Sequence, residues 1–291
     1  MAKYRTVKIN PGKWHISQMK FYAVMLPLAA FMLLPVLYMV FHAFKPMDEL
    51  FAFPPRFITL RPTADNFKRL FSAADSSNFP ASIYLFNSIV STAFTVLATV
   101  LICAASGFVL SKRDFKLKKP ILKVNELALM FVPVAVALPR FLVIKQAGLF
   151  DSFLAHILPL VAMPVGLFLV KQFIDQLPSS LIEAAQIDGS SDYGILFKIV
   201  IPLIKPALAT VSILAFQASW NSVDASQMLI DTERYKTFAY YMTTVTAATG
   251  NNIAGQGMAA AASLILLIPN ILLFTLMQSK VMNTVAHSGI K

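Results

Sequence analysis

The sequence predicts an all-α membrane protein that crosses the bilayer several times. Hydrophobic residues make up 57% of the 291 residues and charged residues only 13%, about half of the roughly 25% usual in soluble domains. The apolar residues lie in long blocks, and crossing about 30 Å of hydrocarbon takes about 20 helical residues. Six blocks approach that length, so we expect six transmembrane helices. The blocks are Phe21–Phe44, Ile83–Leu110, Leu127–Ile144, Phe153–Val170, Pro206–Ile230 and Gly257–Met277.

The first block is expected to stay in the mature chain. A charged start before an apolar run is typical of a signal peptide, but Phe21–Phe44 is too long and no small-residue cleavage site follows it. The sequence therefore predicts a tail at 1–20, a membrane domain at 21–278 and a second tail at 279–291.

The basic residues predict the orientation of the chain. A net charge of +11 would suit a nucleic-acid-binding protein, but the lysines and arginines cluster beside the apolar blocks, where they set membrane orientation. The loop between the third and fourth blocks has only one basic residue, Lys145. Both termini are therefore expected in the cytoplasm, and no nucleic-acid partner is expected. The basic clusters are Lys3, Arg5, Lys8, Lys13 and Lys20 in the N-terminal tail, and Lys112, Arg113, Lys116, Lys118, Lys119 and Lys123 after the second block.

The sequence offers few groups that could perform chemistry. Cys103 is the only cysteine, so no internal disulfide can form. The phosphate-binding pattern G-x-x-x-x-G-K-[ST] is absent, which predicts that this chain does not bind ATP. The histidines are scattered, and we interpret His156 as a core histidine bonded to a neighbouring carbonyl. We expect a transport subunit without catalytic residues, bound metal or a cofactor of its own.

The stretch 177–202 is the one long polar interruption in the second half of the chain. Ser180 and Glu183 have the spacing of a capping box and would start a short helix. Gly189 tolerates a positive φ and would let the chain turn. Residues 190–192 would cap a second amphipathic helix. The pattern predicts two short helices around a glycine between membrane spans, a form suited to being held by another protein.

This stretch resembles the EAA loop of bacterial ABC importer permeases. The family pattern is E-A-A-x-x-x-G, nine residues and then I-x-L-P. Here E-A-A lies at 183–185, the glycine is Gly189 and I-V-I-P lies at 199–202, with isoleucine for leucine as the one departure. The segment 187–191 is also similar to the family's I-D-G-A-S, with Ser190 in place of alanine.

The resemblance implies the fold of a type I ABC importer permease, with the loop at 172–205 in the cytoplasm. In that family the loop couples the permease to a separate ATPase, and ATP and Mg²⁺ bind to that ATPase. The coupling residues that the resemblance implies are Leu181, Ile182, Glu183, Ala184, Ala185, Asp188, Gly189 and Phe197.

Further motifs are similar to those of sugar-type permeases, although the usual Pro-Leu after the W-N pair is missing. The chain most resembles the maltose-type second permease and, within that group, permeases for complex oligosaccharides. The implied partners are a second homologous permease, two copies of an ABC ATPase and an extracytoplasmic solute-binding protein. The motifs are F-K-P…E…P-P…N-F from Phe44 to Phe67 in the outer loop 44–82, Asn87-Ser88, Gly148–Asp151, Phe216 with Trp220-Asn221, and Thr237-Phe238.

Four polar or aromatic residues are candidates for a substrate path. An aromatic face can stack on a pyranose and an amide can bond its hydroxyls. Interfacial packing and helix–helix hydrogen bonding explain the same residue types equally well. For the arginine, snorkelling to the interface is favoured over pairing with an anionic sugar. The candidates are Asn87, Arg140, Trp220 and Asn221.

The second outer loop, 231–256, is expected to contact the binding protein. In the maltose-type family the corresponding loop reaches into the cleft of that protein. The residues expected at this contact are Tyr235, Tyr240, Tyr241, Thr246 and Gly250.

Two other transporter classes are open at this point. An ion-coupled secondary transporter would need ionisable groups or broken helices near the midplane, and the apolar blocks carry charges only at their edges, with prolines inside. An ABC importer for a non-sugar solute would share the EAA loop. Only Asn87-Ser88, Trp220-Asn221 and the long first outer loop favour sugar over that class.

A labelling experiment tests the predicted orientation. In a Cys103→Ala background, a Ser190→Cys variant is expected to resist membrane-impermeant maleimides in intact cells and to react after permeabilisation, because its loop faces the cytoplasm. Labelling in intact cells would reverse the topology.

Overall fold

The computed structural model describes residues 18–75, 79–132, 134–249 and 253–288. Within these ranges the secondary structure is helical and no strand occurs, as the composition predicts. Short 3₁₀ turns cover Phe153–His156 and Glu233–Tyr235, and a π-helical turn covers Leu196–Val200. The α-helices are α1 (Met19–Ala43), α2 (Met47–Leu50), α3 (Asp65–Asp75), α4 (Ala81–Lys112), α5 (Lys118–Met130), α6 (Ala137–Gln146), α7 (Leu158–Val161), α8 (Pro164–Asp175), α9 (Ser179–Ile187), α10 (Asp192–Ile195), α11 (Ile201–Leu203), α12 (Lys205–Trp220), α13 (Asp224–Met228), α14 (Phe238–Thr249) and α15 (Ile253–Ser288).

Three of these helices are long and apolar enough to cross a membrane as single pieces. They are α1, α4 and residues 255–278 of α15. Two further pairs qualify if each is one bent span: Phe153–Val161 with Pro164–Asp175, bent by 41°, and Asp192–Leu203 with Lys205–Met228, bent by 84°. The described residues thus contain three to five candidate spans, and the sixth span stays a prediction.

The predicted third span, Leu127–Ile144, is not one helix. α5 ends at Met130, and α6 starts only at Ala137. The backbone between them is extended at Phe131, with ψ of 132°, and Pro133 lies outside the described residues. A proline disfavours helical geometry in the residue before it, which explains a break at this point in the sequence.

The fourth and fifth predicted spans are also interrupted. Met163 is extended, with φ of −106° and ψ of 97°, directly before Pro164 at the start of α8. In the fifth span, α12 ends at Trp220 and the chain leaves the helix at Asn221. The amide of Asn221 donates to the carbonyl oxygen of Gln217 at 3.0 Å, a local side-chain bond of the kind that competes with helix continuation.

The chain divides into two compact units. The first comprises Met1–Arg69 and Thr249–Leu264, and the second comprises Leu70–Ala248 and Ile265–Lys291. Each unit is described separately below.

In the first unit, buried polar side chains hold the outer loop to the end of α1. Asn66 Nδ2 donates to the carbonyl oxygens of Ala43 at 3.1 Å and Lys45 at 2.8 Å. Carbonyls at a helix C-terminus have no partner within the helix, so this amide satisfies groups that α1 leaves open. Lys45 is itself buried, and its Nζ donates to the carbonyl oxygen of Arg56 at 2.5 Å.

Glu49 fixes the other half of the same loop. Its carboxylate accepts hydrogen bonds from Thr59 Oγ1 at 2.8 Å and from the backbone N–H groups of Leu60 and Arg61, each at 3.2 Å. Burial would raise the pKa of Glu49, but these hydrogen bonds and the charge of Arg61 outweigh it and lower the pKa below the usual glutamate value. The lysine, glutamate and asparagine of the F-K-P…E…N-F pattern therefore have structural roles here.

In the second unit, α4 packs against α8 and α12. The approach to α8 is close because two glycines face larger side chains. A β-carbon on Gly107 would lie 2.9 Å from Val170 Cγ1, and one on Gly166 would lie 3.1 Å from Cys103 Sγ. Small residues at helix contacts allow such close approach in membranes. The stripe of α4 that is buried consists mostly of small residues: Ala81, Tyr84, Asn87, Ser88, Ser91, Thr92, Thr95, Thr99, Cys103, Ala104, Gly107, Phe108 and Leu110.

Gly107→Leu is expected to destabilise the protein, because the added side chain must displace Val170. Overpacking of this kind costs about 1–3 kcal/mol. The measurement is the thermal unfolding midpoint of the detergent-purified protein. The matched control is Gly194→Ala, whose β-carbon would come no closer than 3.5 Å to its nearest neighbour, Ser191 Oγ. Equal midpoints for the two variants would contradict the close α4–α8 contact.

Candidate functional site

The segment 179–203, called the knob below, forms the predicted pair of short helices around a glycine. α9 ends at Ile187, and Gly189 has a φ of 79°, which confirms the predicted left-handed turn. Ser191 Oγ then accepts a hydrogen bond from the N–H of Gly194 at 3.2 Å and so caps α10.

The predicted capping box at the start of α9 is wrong. The N-cap position is Pro178, and no side chain caps the helix there. The helix begins at Ser179, two residues earlier than expected, so Ser180 lies within the first turn and not at the non-helical position that a capping side chain needs. Glu183 is exposed on the same helix.

The inner face of the knob is apolar and buried. It packs against the last turns of α8, at Val170 and Ile174, and against Phe108 of α4. This packing makes the knob part of the helical core rather than a free loop. Its buried residues are Ile182, Ala185, Ile195, Leu196 and Val200.

The end of α4 holds both halves of the knob. Arg113 forms an ion pair with Asp192 at the start of α10. With its amide oxygen turned toward the guanidinium, Gln186 of α9 accepts hydrogen bonds from Arg113 Nη2 at 2.7 Å and Nη1 at 2.9 Å. The neighbouring Lys112 Nζ donates to the carbonyl oxygen of Leu177 at 2.6 Å. Three points of the knob and its entry are thereby tied to one helix end.

The outer face of the knob carries large apolar side chains that are exposed. Ile187 is 86% exposed and Tyr193 is 77% exposed, on either side of the turn at Gly189. Apolar side chains grouped in this way mark a surface that contacts another molecule. Glu183, Ala184 and Asp188 are exposed beside them, as are Leu181 and Phe197.

A cavity of about 750 Å³ lies at the other end of α8 and α12. Pro164, the first residue of α8, and Asn221, directly after α12, both line it. Arg140 of α6 and Asp224 of α13 face each other in its wall, with 3.6 Å between Nη2 and Oδ2. Phe131, Met163 and other apolar side chains make up most of the remaining lining.

Two of the predicted substrate-path residues have packing roles. Trp220 is buried, its Nε1 donates to the carbonyl oxygen of Leu266 on α15 at 3.1 Å, and its ring stacks on Phe216. Asn87 is also buried, and its amide donates to the carbonyl oxygens of Arg234 at 2.7 Å and Lys236 at 2.9 Å. Contact of these two side chains with the solute stays a prediction, whereas Arg140 and Asn221 line a cavity.

A second set of polar contacts fastens the segment 229–237. Asp151 adopts a positive φ of 55°, and its carboxylate accepts from the N–H of Asp231 at 3.0 Å and from the N–H and hydroxyl of Thr232 at 2.8 and 2.6 Å. These bonds, led by that from the Thr232 hydroxyl, lower the pKa of Asp151 below its usual value. His156 Nε2 lies 3.0 Å from the carbonyl oxygen of Tyr235, which confirms the interpretation of this histidine.

The family model described as binding-protein-dependent transport system inner membrane component matches residues 101–279, a range that includes the knob and the cavity lining. The chain belongs to this family. Membership confirms the predicted recognition, a multi-pass membrane protein that acts as the permease component of a transport system and not as an enzyme.

Individual permeases are similar to this chain over most of their length. The arabinooligosaccharides transport system permease protein AraQ of Bacillus subtilis (strain 168) is 29% identical over 293 residues, which cover 95% of this chain and 99% of that protein. The polygalacturonan/rhamnogalacturonan transport system permease protein YtcP of the same organism is 32% identical over 212 residues, covering 72% and 71%.

A solved structure confirms the predicted fold class. A chain of a bacterial ABC transporter involved in the import of the acidic polysaccharide alginate superposes with a TM-score of 0.77 at 21% identity, covering 93% of this permease and 99% of that chain. The all-α permease fold of an ABC importer, predicted from the EAA resemblance, is therefore the fold of this chain.

The predicted coupling residues of the permease divide between the two faces of the knob. Ile182 and Ala185 are buried and shape the knob from inside. The other six, from Leu181 to Phe197, lie on or beside the exposed face. Their contact with an ATPase stays a prediction.

The residues predicted to contact the binding protein differ in exposure, and their contact with that protein stays a prediction. Within the predicted outer loop 231–256, α14 occupies Phe238–Thr249. Tyr241 is buried in it, stacks on Tyr84 at 4.8 Å and donates its hydroxyl to the carbonyl oxygen of Leu70. Tyr235 and Tyr240 retain exposed surface, as does Thr246. Gly250 lies outside the described residues.

Sequence reasoning missed three residues of the site. In the sequence, Arg113 supports only the predicted membrane orientation. Its position directly after a span and before the knob is the signal that could have indicated a side chain that bonds the knob. Ile187 lies inside the recognised motif, where an apolar residue beside Asp188 and Gly189 is a signal of a contact surface. Asp224 is a charge near the end of the fifth apolar block, and nothing in the sequence pairs it with Arg140.

Asp151→Ala is expected to increase hydrogen exchange at the amides of Asp231 and Thr232, because it removes the acceptor of both N–H groups. Asp151→Asn is expected to have a smaller effect, since one acceptor oxygen and tolerance of the positive φ remain. The folded-state pKa of Asp151 is lowered. Its stabilisation of this segment is therefore fully present above the usual aspartate pKa, about 4, and is lost as the pH falls through the lowered pKa.

Exchange measured by mass spectrometry between pH 7 and pH 3, corrected for intrinsic rates, checks this prediction. The control is Asp231→Asn, which removes a charge from the same segment and leaves the Asp151 acceptor in place. Equal protection of the Asp231 and Thr232 amides in Asp151→Ala and in the control would contradict the role of Asp151 in holding this segment.

Proposed function

We propose that this permease is one membrane-spanning subunit of an ATP-driven importer that translocates a sugar or oligosaccharide delivered by a binding protein. The observation that carries the proposal is that two helices connect the knob to the cavity. α8 has 12 residues and α12 has 16, or roughly 18 and 24 Å at about 1.5 Å per residue. The last turns of α8 pack on the knob, and α12 leaves it at Lys205.

In this proposal the exposed face of the knob docks into a groove of an ABC ATPase. ATP and Mg²⁺ bind there, and this chain binds neither. Closure of two ATPase copies moves the knob, and because its inner face is packed into the core, α8 and α12 transmit the motion to the cavity as rigid elements. Arg113 carries the same motion to α4 through Asp192 and Gln186.

A second homologous permease and an extracytoplasmic binding protein complete the proposed assembly. The knob and both termini face the cytoplasm, as the excess of lysine and arginine in the N-terminal tail and after α4 favours. The opposite side, with the first outer loop and the segment 231–249, faces the binding protein. The printed names of similar permeases, for arabinooligosaccharides and for polygalacturonan, favour a sugar over other solutes.

Variants of the knob test the coupling role. In reconstituted complexes, Gly189→Val is expected to reduce transport and substrate-stimulated ATP hydrolysis to background while assembly is retained, because a branched residue at a φ of 79° costs about 1 kcal/mol or more. Gly189→Asn is the matched control, since asparagine tolerates this conformation, and it is expected to retain most of the activity.

Glu183→Lys is expected to abolish transport by a different route. It reverses a charge on the exposed face, so a compensating acidic substitution in the ATPase groove should restore activity, whereas no such change should rescue Gly189→Val. Co-purification reports assembly. Wild-type transport by both Gly189→Val and Glu183→Lys in assembled complexes would show that the knob is an ordinary connector.

A further inference from the structure

Among the residues that line the cavity, the charged groups are one arginine and one aspartate. Arg140 and Asp224 lie 3.6 Å apart, so their charges cancel within the cavity wall. The aspartate side chain is 71% exposed and the arginine side chain 31%. The carboxylate therefore presents a larger share of its surface than the guanidinium does.

The rest of the lining suits a polyhydroxylated, uncharged molecule. Asn221 and Ser222 add an amide and a hydroxyl, while Phe131 and Met163 offer apolar surface for the CH faces of a sugar ring. Sugar hydroxyls can donate to Asp224 and accept from Arg140 without separating the pair. The volume, about 750 Å³, lies within the roughly 300–1,000 Å³ of small-molecule sites.

We infer that this cavity is a charge-neutral site for uncharged sugars, in which Asp224 pairs with Arg140 and leaves no unpaired cation for a sugar carboxylate. A uronate could pair with Arg140 only in competition with the Asp224 carboxylate, which lies 3.6 Å from the guanidinium, and like charges repel. The inference rests on the proposed function, because it treats the cavity as part of the solute path. It also separates this permease from two similar proteins whose names give acidic polysaccharides, the alginate transporter and the polygalacturonan/rhamnogalacturonan permease, since a shared fold does not set the charge of the solute.

The charge preference of the cavity can be measured without knowing the natural sugar. Ala218 lines the cavity on α12 and is exposed, so Ala218→Cys in a Cys103→Ala background places a thiol there. The full-length chain, in membranes with its partner subunits, is treated with anionic sulfonatoethyl methanethiosulfonate or cationic trimethylammonioethyl methanethiosulfonate. The rate of thiol modification by each reagent is divided by the rate of the same reagent with free cysteine. The ratio of the two normalised rates, anionic to cationic, reports the local electrostatic potential in the cavity.

With the pair intact, the anionic reagent is expected to show no advantage over the cationic one. Asp224→Asn is expected to raise the anionic-to-cationic ratio about tenfold, and Arg140→Gln to lower it about tenfold, as an uncompensated charge at this range would. The double variant should return the ratio to its starting value. Asp224→Glu keeps the charge and should leave the ratio unchanged. A changed ratio in Asp224→Asn alone then comes from the lost charge and not from a loss of folding on substitution at this position.

The matched control is Asp114→Asn. Asp114 is an exposed carboxylate that pairs with Lys118 at 3.0 Å and does not line the cavity, so its loss should not change the ratio. The inference is overturned if the intact pair already favours the anionic reagent tenfold, or if Asp224→Asn changes the ratio no more than Asp114→Asn does. Failure of the proposed function would appear separately, as ATP hydrolysis that no loaded binding protein stimulates, with the rate ratios unaffected.

Discussion

The close contact between α4 and α8 is the constraint on which the second unit depends. Gly107 leaves room for Val170, and Gly166 leaves room for the thiol of Cys103. From this contact α8 continues into the core of the knob, and α4 continues to Arg113, which ties α9 to α10. The knob is therefore packed against α8 and tied to the end of α4, two helices that are themselves in close contact.

Basic residues beside the spans serve two physical purposes in this permease. Their number on each side of the membrane biases insertion, and a lysine or arginine at a helix end can also bond carbonyls and carboxylates of the next segment. Lys112 and Arg113 do the second within the structure. The ion pair with Asp192 involves a side chain that is 63% exposed, so its contribution is chiefly to the placement of the knob and little to stability.

Adjacent residues at the end of α12 have opposite roles. Trp220 is the last helical residue and turns toward α15, where Leu266 and Phe216 satisfy its nitrogen and ring. Asn221 is the first residue past the helix and lines the cavity. Because successive helical residues point about 100° apart, one neighbour of a pair can face another helix while the other faces a cavity.

The sequence by itself determined the helical membrane class, the turn at Gly189 and the family pattern around it, because apolar block length, φ tolerance and motif spacing are properties of neighbouring residues. It could not place the breaks in the third to fifth spans accurately, nor choose which face of a helix is covered. Those depend on distant partners: Tyr241 bonds a carbonyl 171 residues away, and Asp151 bonds Thr232 across 81 residues. The tertiary structure alone decided that Tyr241 and Trp220 pack inside while Arg140 and Asp224 meet in a cavity, since only packed helices bring residues so distant in sequence into contact.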